Sequence, residues 1–149
     1  MSQIAVPLIS GIVGLIFVGT LVRDVLSKSP GNDAMQRISK AVQVGARAFL
    51  KREYSYVSVL VLVVAVLIAL APVITGNSEL PLGWKTSVAF IIGAVVSALA
   101  GYVGMSIATR ANARTTQAAV DGGVKGALGV AVSAGSVMGM SVVSMALIG

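Results

Sequence analysis

The sequence predicts an all-α transmembrane protein, with about four membrane-spanning helices and one cytoplasmic amphipathic helix, forming part of a larger helix bundle. Three observations carry this. Of 149 residues, 56% are hydrophobic and the mean hydropathy is +0.96. Only 11% are charged, where soluble domains carry roughly 25%. The charges are also segregated: residues 1–22, 54–78, 86–109 and 126–149 contain no Asp, Glu, Lys or Arg. A helix needs about 20 mostly apolar residues to cross the hydrocarbon core, and each run meets that length. A buried soluble helix could account for one such run, but not for four in a chain of this size.

The first span is expected over residues 4–22. Pro7 lies near its start, where a missing amide costs little. Met1 to Ala5 has no basic residue and no A-x-A pattern precedes Arg23, so this helix is expected to be retained rather than cleaved as a signal peptide. Ser29-Pro30-Gly31-Asn32 then breaks the helix, and Asn32 or Asp33 can cap the next one. Over residues 33–50, Met35, Ile38, Val42, Ala46 and Phe49 recur at helical spacing. Gln36, Arg37, Lys40, Gln43 and Arg47 fall elsewhere on the wheel, so the segment reads as an amphipathic helix. It would lie at the membrane interface or pack on a larger cytosolic surface.

The second span, over residues 54–74, is rich in Val and Leu, a texture suited to lipid contact. Thr75 to Gly83 form an expected outer turn, with Trp84 placed as an interfacial aromatic. The third and fourth spans, 87–108 and 127–148, hold more small residues. Gly93, Ser97 and Gly101 recur every four residues, and Gly135 and Gly139 form a G-x-x-x-G. Such spacing lets helix backbones approach closely in a bilayer, so these spans are expected in the interior and the second at the periphery. No internal repeat or long linker divides the chain, and residues 1–149 read as one unit.

Charge sets the expected orientation. Segment 23–53 carries Arg23, Lys28, Arg37, Lys40, Arg47, Lys51 and Arg52 against Asp24, Asp33 and Glu53. Segment 110–125 carries Arg110, Arg114 and Lys125 against Asp121, while the turn between the middle spans has only Glu79 and Lys85. Basic loops stay in the cytoplasm, which puts the N-terminus outside and both basic segments inside. The net charge of +6 is then mostly orientation, and no nucleic-acid partner is implied.

The inventory of chemistry is nearly empty. Cys and His are absent, which excludes disulfides and thiolate or imidazole metal sites. The carboxylates are Asp24, Asp33, Glu53, Glu79 and Asp121, and none falls in a charge-free run. Ion pathways usually carry an ionisable group at membrane depth, and a magnesium–phosphate site needs converging carboxylates. Gly122-Gly123-Val124-Lys125-Gly126 fails the spacing of a phosphate-binding G-x-x-x-x-G-K-[ST] loop. Arg110 and Arg114 could in principle face a phosphate; an anchoring role at the interface is the reading preferred here. No residue is assigned a catalytic, cofactor-binding or metal-binding role.

Three stretches together resemble one family. Ala46-Arg47-Ala48-Phe49-Leu50-Lys51-Arg52-Glu53-Tyr54 is similar to the segment preceding the second helix of membrane-bound, ion-translocating inorganic pyrophosphatases. The run from Gly101-Tyr102-Val103-Gly104-Met105 through Ala108-Thr109-Arg110-Ala111-Asn112-Ala113-Arg114-Thr115 resembles the end of that family's third helix. Gly135-Ser136-Val137-Met138-Gly139 is similar to a stretch of its fourth. The resemblance implies a homodimeric pump of about sixteen helices that hydrolyses pyrophosphate at a cytoplasmic Mg2+ site and moves protons or sodium ions. It implies that the catalytic carboxylates, lysines and ion gate lie on the fifth helix and beyond, outside this sequence. The expectation is therefore the N-terminal part of such a pump, inactive alone, binding no Mg2+ itself and partnered by the remaining helices and the bilayer. A stand-alone four-helix membrane scaffold or binding protein is the alternative, and a small unrelated transporter subunit a third.

Overall fold

The computed structural model describes residues 2–76 and 81–149. Among them all regular structure is helical: α1 (Ser2–Ser27), α2 (Asp33–Thr75) and α3 (Trp84–Ile148). Three helices are thus long and apolar enough to cross a membrane. The expected outer-turn residues Asn77, Ser78, Glu79 and Leu80 lie outside the described residues.

α1 continues past the charge-free run to Ser27. Gly31 adopts a φ of 77° in the connection, a left-handed conformation that costs glycine little. Asn32 caps α2, its side-chain oxygen accepting from the Met35 amide at 2.9 Å. This meets one of the amides that the first turn leaves unpaired. At its far end α2 stops at Gly76, again left-handed with φ 64°, as helix C-termini commonly do.

The expected amphipathic helix and second span are not two elements. Residues 33–75 form one helix of 43 residues. The boundary inferred near residue 50 is a change of polarity, and Lys51, Arg52 and Glu53 are good helix formers. A continuous helix excludes an amphipathic piece lying separately along the interface.

α3 is a hairpin. Its 65 residues contain a break at Gly122 (φ −134°, ψ 15°) and Gly123 (φ 61°, ψ −154°). The arms 84–121 and 124–148 run antiparallel, with Gly104 against Met138 and Gly126 against the Ala118 carbonyl.

α1 and α2 both pack on α3 and not on each other among the described residues. α1 presents Gly11, Gly14, Val18 and Val25 as its buried stripe. Gly11 and Gly14 approach Ser144 and Ile148 near the end of α3, so α1 is antiparallel to the second arm. Val18, Val25, Ile107, Ala111, Ala134 and Val137 make the apolar core where α1 meets both arms. Along the second arm the buried positions are Val130, Ala134, Val137, Ser141 and Ser144, alternating steps of four and three that keep one seam facing inward.

α2 runs antiparallel to the first arm and is pinned by three hydrogen bonds. The Ser39 hydroxyl donates to the Thr109 carbonyl at 3.3 Å, the Tyr54 hydroxyl to Ala98 at 2.8 Å and the Ser87 hydroxyl to Ala65 at 2.7 Å. Most of its apolar surface between Val57 and Ile74 stays exposed, as the sequence suggested for a peripheral span.

Of the glycine motifs, only Gly101 makes a close approach, to the Tyr54 hydroxyl of α2, 3.2 Å from a would-be Cβ. Gly93, Gly135 and Gly139 have nothing within contact distance of a would-be Cβ. At 100° per residue, Gly135 and Gly139 fall on the side of the arm opposite Val137 and Ser141. The closest approaches between helices are made by Gly11, Gly14, Gly104 and Gly126.

Candidate functional site

Most of the polar chemistry of the chain gathers at the end of the bundle holding the α1–α2 connection and the Gly122–Gly123 break. A cleft of about 650 Å³ opens there, lined among others by Asp24, Lys28, Arg114, Gln117, Asp121 and Lys125. It forms because α1 ends at Ser27 while the first arm of α3 continues to its break, leaving the two helix ends side by side.

Arg114 organises this corner. Its guanidinium donates to the Arg110 carbonyl at 2.8 Å and to the Leu26 carbonyl at 3.4 Å. Leu26 lies in the last turn of α1, whose carbonyls lack intrahelical partners and carry the negative end of the helix dipole. A cation there is favourable on both counts. Its Nε is buried without a hydrogen-bond partner. The sequence predicts Arg114 as an interface anchor beside Arg110; the structure turns it onto the end of α1 instead.

Of the remaining charges in the cleft, one opposite-charge pair and one hydrogen-bonded carboxylate are held locally. Lys28 Nζ stands 3.0 Å from Asp24 one turn before it, and the Gln117 amide donates to Asp121 at 2.8 Å. Lys125, just beyond the glycine break, is exposed. The break bears no likeness to a phosphate cradle, since Lys125 follows a two-residue reversal between antiparallel helices. Asp33 and Glu53 are also exposed and lie on α2, away from the cleft lining.

The described residues hold no group of three or more acidic, Cys or His side chains able to bind a metal ion. The Mg2+ implied by the family resemblance therefore has no fitting donor set among them, and no chemical step is derived through it. What this arrangement can do is tie helix ends together and keep cationic side chains at one end of a membrane bundle.

Fold and sequence define an all-helical integral membrane protein. Comparison with known proteins gives the particular family. Residues 12–149 match the family model described as inorganic H+ pyrophosphatase, and the chain belongs to that family. It is 43% identical over 147 residues to a "K(+)-insensitive pyrophosphate-energized proton pump" of Pyrobaculum aerophilum, covering 99% of this chain and 20% of that one. It is 40% identical over 139 residues to a "Putative K(+)-stimulated pyrophosphate-energized sodium pump" of Clostridium tetani, covering 93% and 19%. A "K(+)-stimulated pyrophosphate-energized sodium pump" of Thermotoga maritima is 40% identical over 126 residues, covering 84% and 16%. The chain thus spans about a fifth of the length of these relatives.

Proposed function

We propose that this chain is the N-terminal part of a pyrophosphate-energised proton or sodium pump, a scaffold segment that performs no hydrolysis alone. The observation that carries the reading is the match over nearly the whole chain to relatives named as such pumps, of which it covers only about a fifth. Relatives named for protons and for sodium match at similar identity, 43% and 40%. That supports a shared scaffold role here, with ion choice determined elsewhere in the polypeptide.

In this reading the two arms of α3 are separate spans, and with α1 and the Tyr54–Thr75 part of α2 the chain crosses the membrane four times. The Gly122–Gly123 break supports the division, because a 65-residue helix would be about 98 Å long at 1.5 Å per residue. Residues 33–53 are then the cytoplasmic, amphipathic part of α2. The N-terminus is outside, and the basic segments 23–53 and 110–125 are cytoplasmic, following the distribution of Lys and Arg. The pump works as a homodimer, and its Mg2+ and pyrophosphate are held by carboxylates and lysines beyond this segment.

Two measurements test it. An antibody to residues 28–53 should reveal, in native membranes, a band several times larger than 15.0 kDa. A band at 15.0 kDa would favour the stand-alone scaffold. The purified 149-residue chain should release no phosphate from magnesium pyrophosphate, and measurable turnover would defeat the proposal.

A further inference from the structure

The part of α2 that precedes its charge-free run has three faces rather than two. Ser39 and Leu50 are buried, Gln43 and Ala46 half-buried, and these turn toward α3. Arg37, Lys40, Arg47 and Lys51 form an exposed basic face beside them. Ile38, Val42 and Phe49, with Gly45 between, occupy a third face at steps of four, three and four. They are 68%, 40% and 57% exposed. The apolar stripe evident in the sequence is therefore divided: Ala46 turns toward α3 with Ser39, Gln43 and Leu50, while Ile38, Val42 and Phe49 stay exposed.

Exposed apolar residues need no explanation within lipid, but position argues against lipid here. Residues 54–74 suffice to fill a hydrocarbon core about 30 Å thick. At 1.5 Å per residue, Val42 then lies about 18 Å and Ile38 about 24 Å beyond Tyr54. A contiguous apolar stripe in water marks a surface built to be covered by protein. Neither α1 nor α3 covers it.

The charges narrow the occupant. Among the described residues the one ion pair is Lys28–Asp24, so Arg37, Lys40, Arg47 and Lys51 have no acidic partner there. A second copy, inserted with the same orientation, would bring its own basic face to the same height and add repulsion. A later segment of the same polypeptide has no such constraint, and the relatives are about five times as long as this chain.

We propose that the Ile38–Val42–Phe49 stripe is the seat of a later segment of the pump polypeptide, an apolar helix face edged by carboxylates that meet the adjoining basic face. This rests on the reading of the chain as the front of a longer pump. The test places a photo-crosslinking benzoylphenylalanine at Ile38, Val42 or Phe49 of the full pump in native membranes, followed by sizing and peptide mapping. Expected are intramolecular crosslinks from these positions to peptides beyond residue 149, with acidic residues nearby in the mapped segment. Crosslinks that double the mass, adducts to lipid alone, or an absence of crosslinks at all three positions in full-length pump would overturn this inference while leaving the pump reading intact. A product of 15.0 kDa in the same membranes would overturn both.

Discussion

Gly104 lies directly under the side chain of Met138, so that a Cβ added to it would stand 2.5 Å from Cγ and 3.3 Å from Cα of Met138. The two arms of α3 can close on each other there only because one side contributes no side chain. Close backbone approach of this kind is a principal source of helix association where lipid is as apolar as the helices.

Gly104→Leu should therefore force the arms apart, at a cost of about 1–3 kcal/mol. Gly139→Ala, which meets open space, should shift stability of the 149-residue chain by less than about 0.5 kcal/mol. Thermal unfolding of both variants in the same detergent reads the contrast. Equal losses would mean that Gly139 is as closely packed as Gly104.

Ser87→Ala removes a buried hydroxyl that donates to the Ala65 carbonyl at 2.7 Å. Interhelical hydrogen bonds in membranes average about 0.6 kcal/mol, with a maximum near 1.7. The variant should lose stability in that range, and Tyr54→Phe, which severs the bond to Ala98, should do the same. The pairs are far apart along α2, so the double variant should lose the sum.

Arg114→Met should free the last turn of α1. The Leu26 carbonyl loses its donor, worth about 1 kcal/mol. Amide exchange over residues 24–28 should quicken roughly fivefold, the factor for 1 kcal/mol in a local opening equilibrium. Arg114→Lys should recover only part of the protection, since a single ammonium cannot reach two carbonyls with a planar fork.

Gly123→Ala places a side chain at φ 61°, ψ −154°, a region essentially reserved for glycine, where other residues pay about 1–3 kcal/mol. Unfolding of the variant should show that loss. Gly122→Ala, at φ −134°, should cost little.

Much of this architecture was legible in the sequence. The described residues of the four charge-free runs are helical except Gly76 and Gly149, the Asn32 cap forms as its side chain and position suggested, and the first helix ends just before the Pro30–Gly31 connection. Three features were not legible, each for a physical reason. Polarity changes near Lys51, but helix propensity does not, so the join between the amphipathic and apolar parts of α2 leaves no mark. Gly135 and Gly139 show the right spacing for close packing, but spacing fixes only that they share a face, and the buried face is the one carrying Val137 and Ser141. Arg114 reads as a surface cation because its partner is a backbone carbonyl on α1, a group every residue possesses.

The continuity of α2 has a mechanical consequence. Its residues 33–53 extend the apolar part by about 30 Å as a rigid rod, and the Ser39–Thr109 bond couples the first arm of α3 to the same rod. Any tilt of the membrane half is therefore magnified at the tip: roughly 5° displaces Asp33 by about 2.6 Å over such a length. Small rearrangements of the helices within the bilayer thus become side-chain-sized displacements at the basic end, with no hinge between to absorb them.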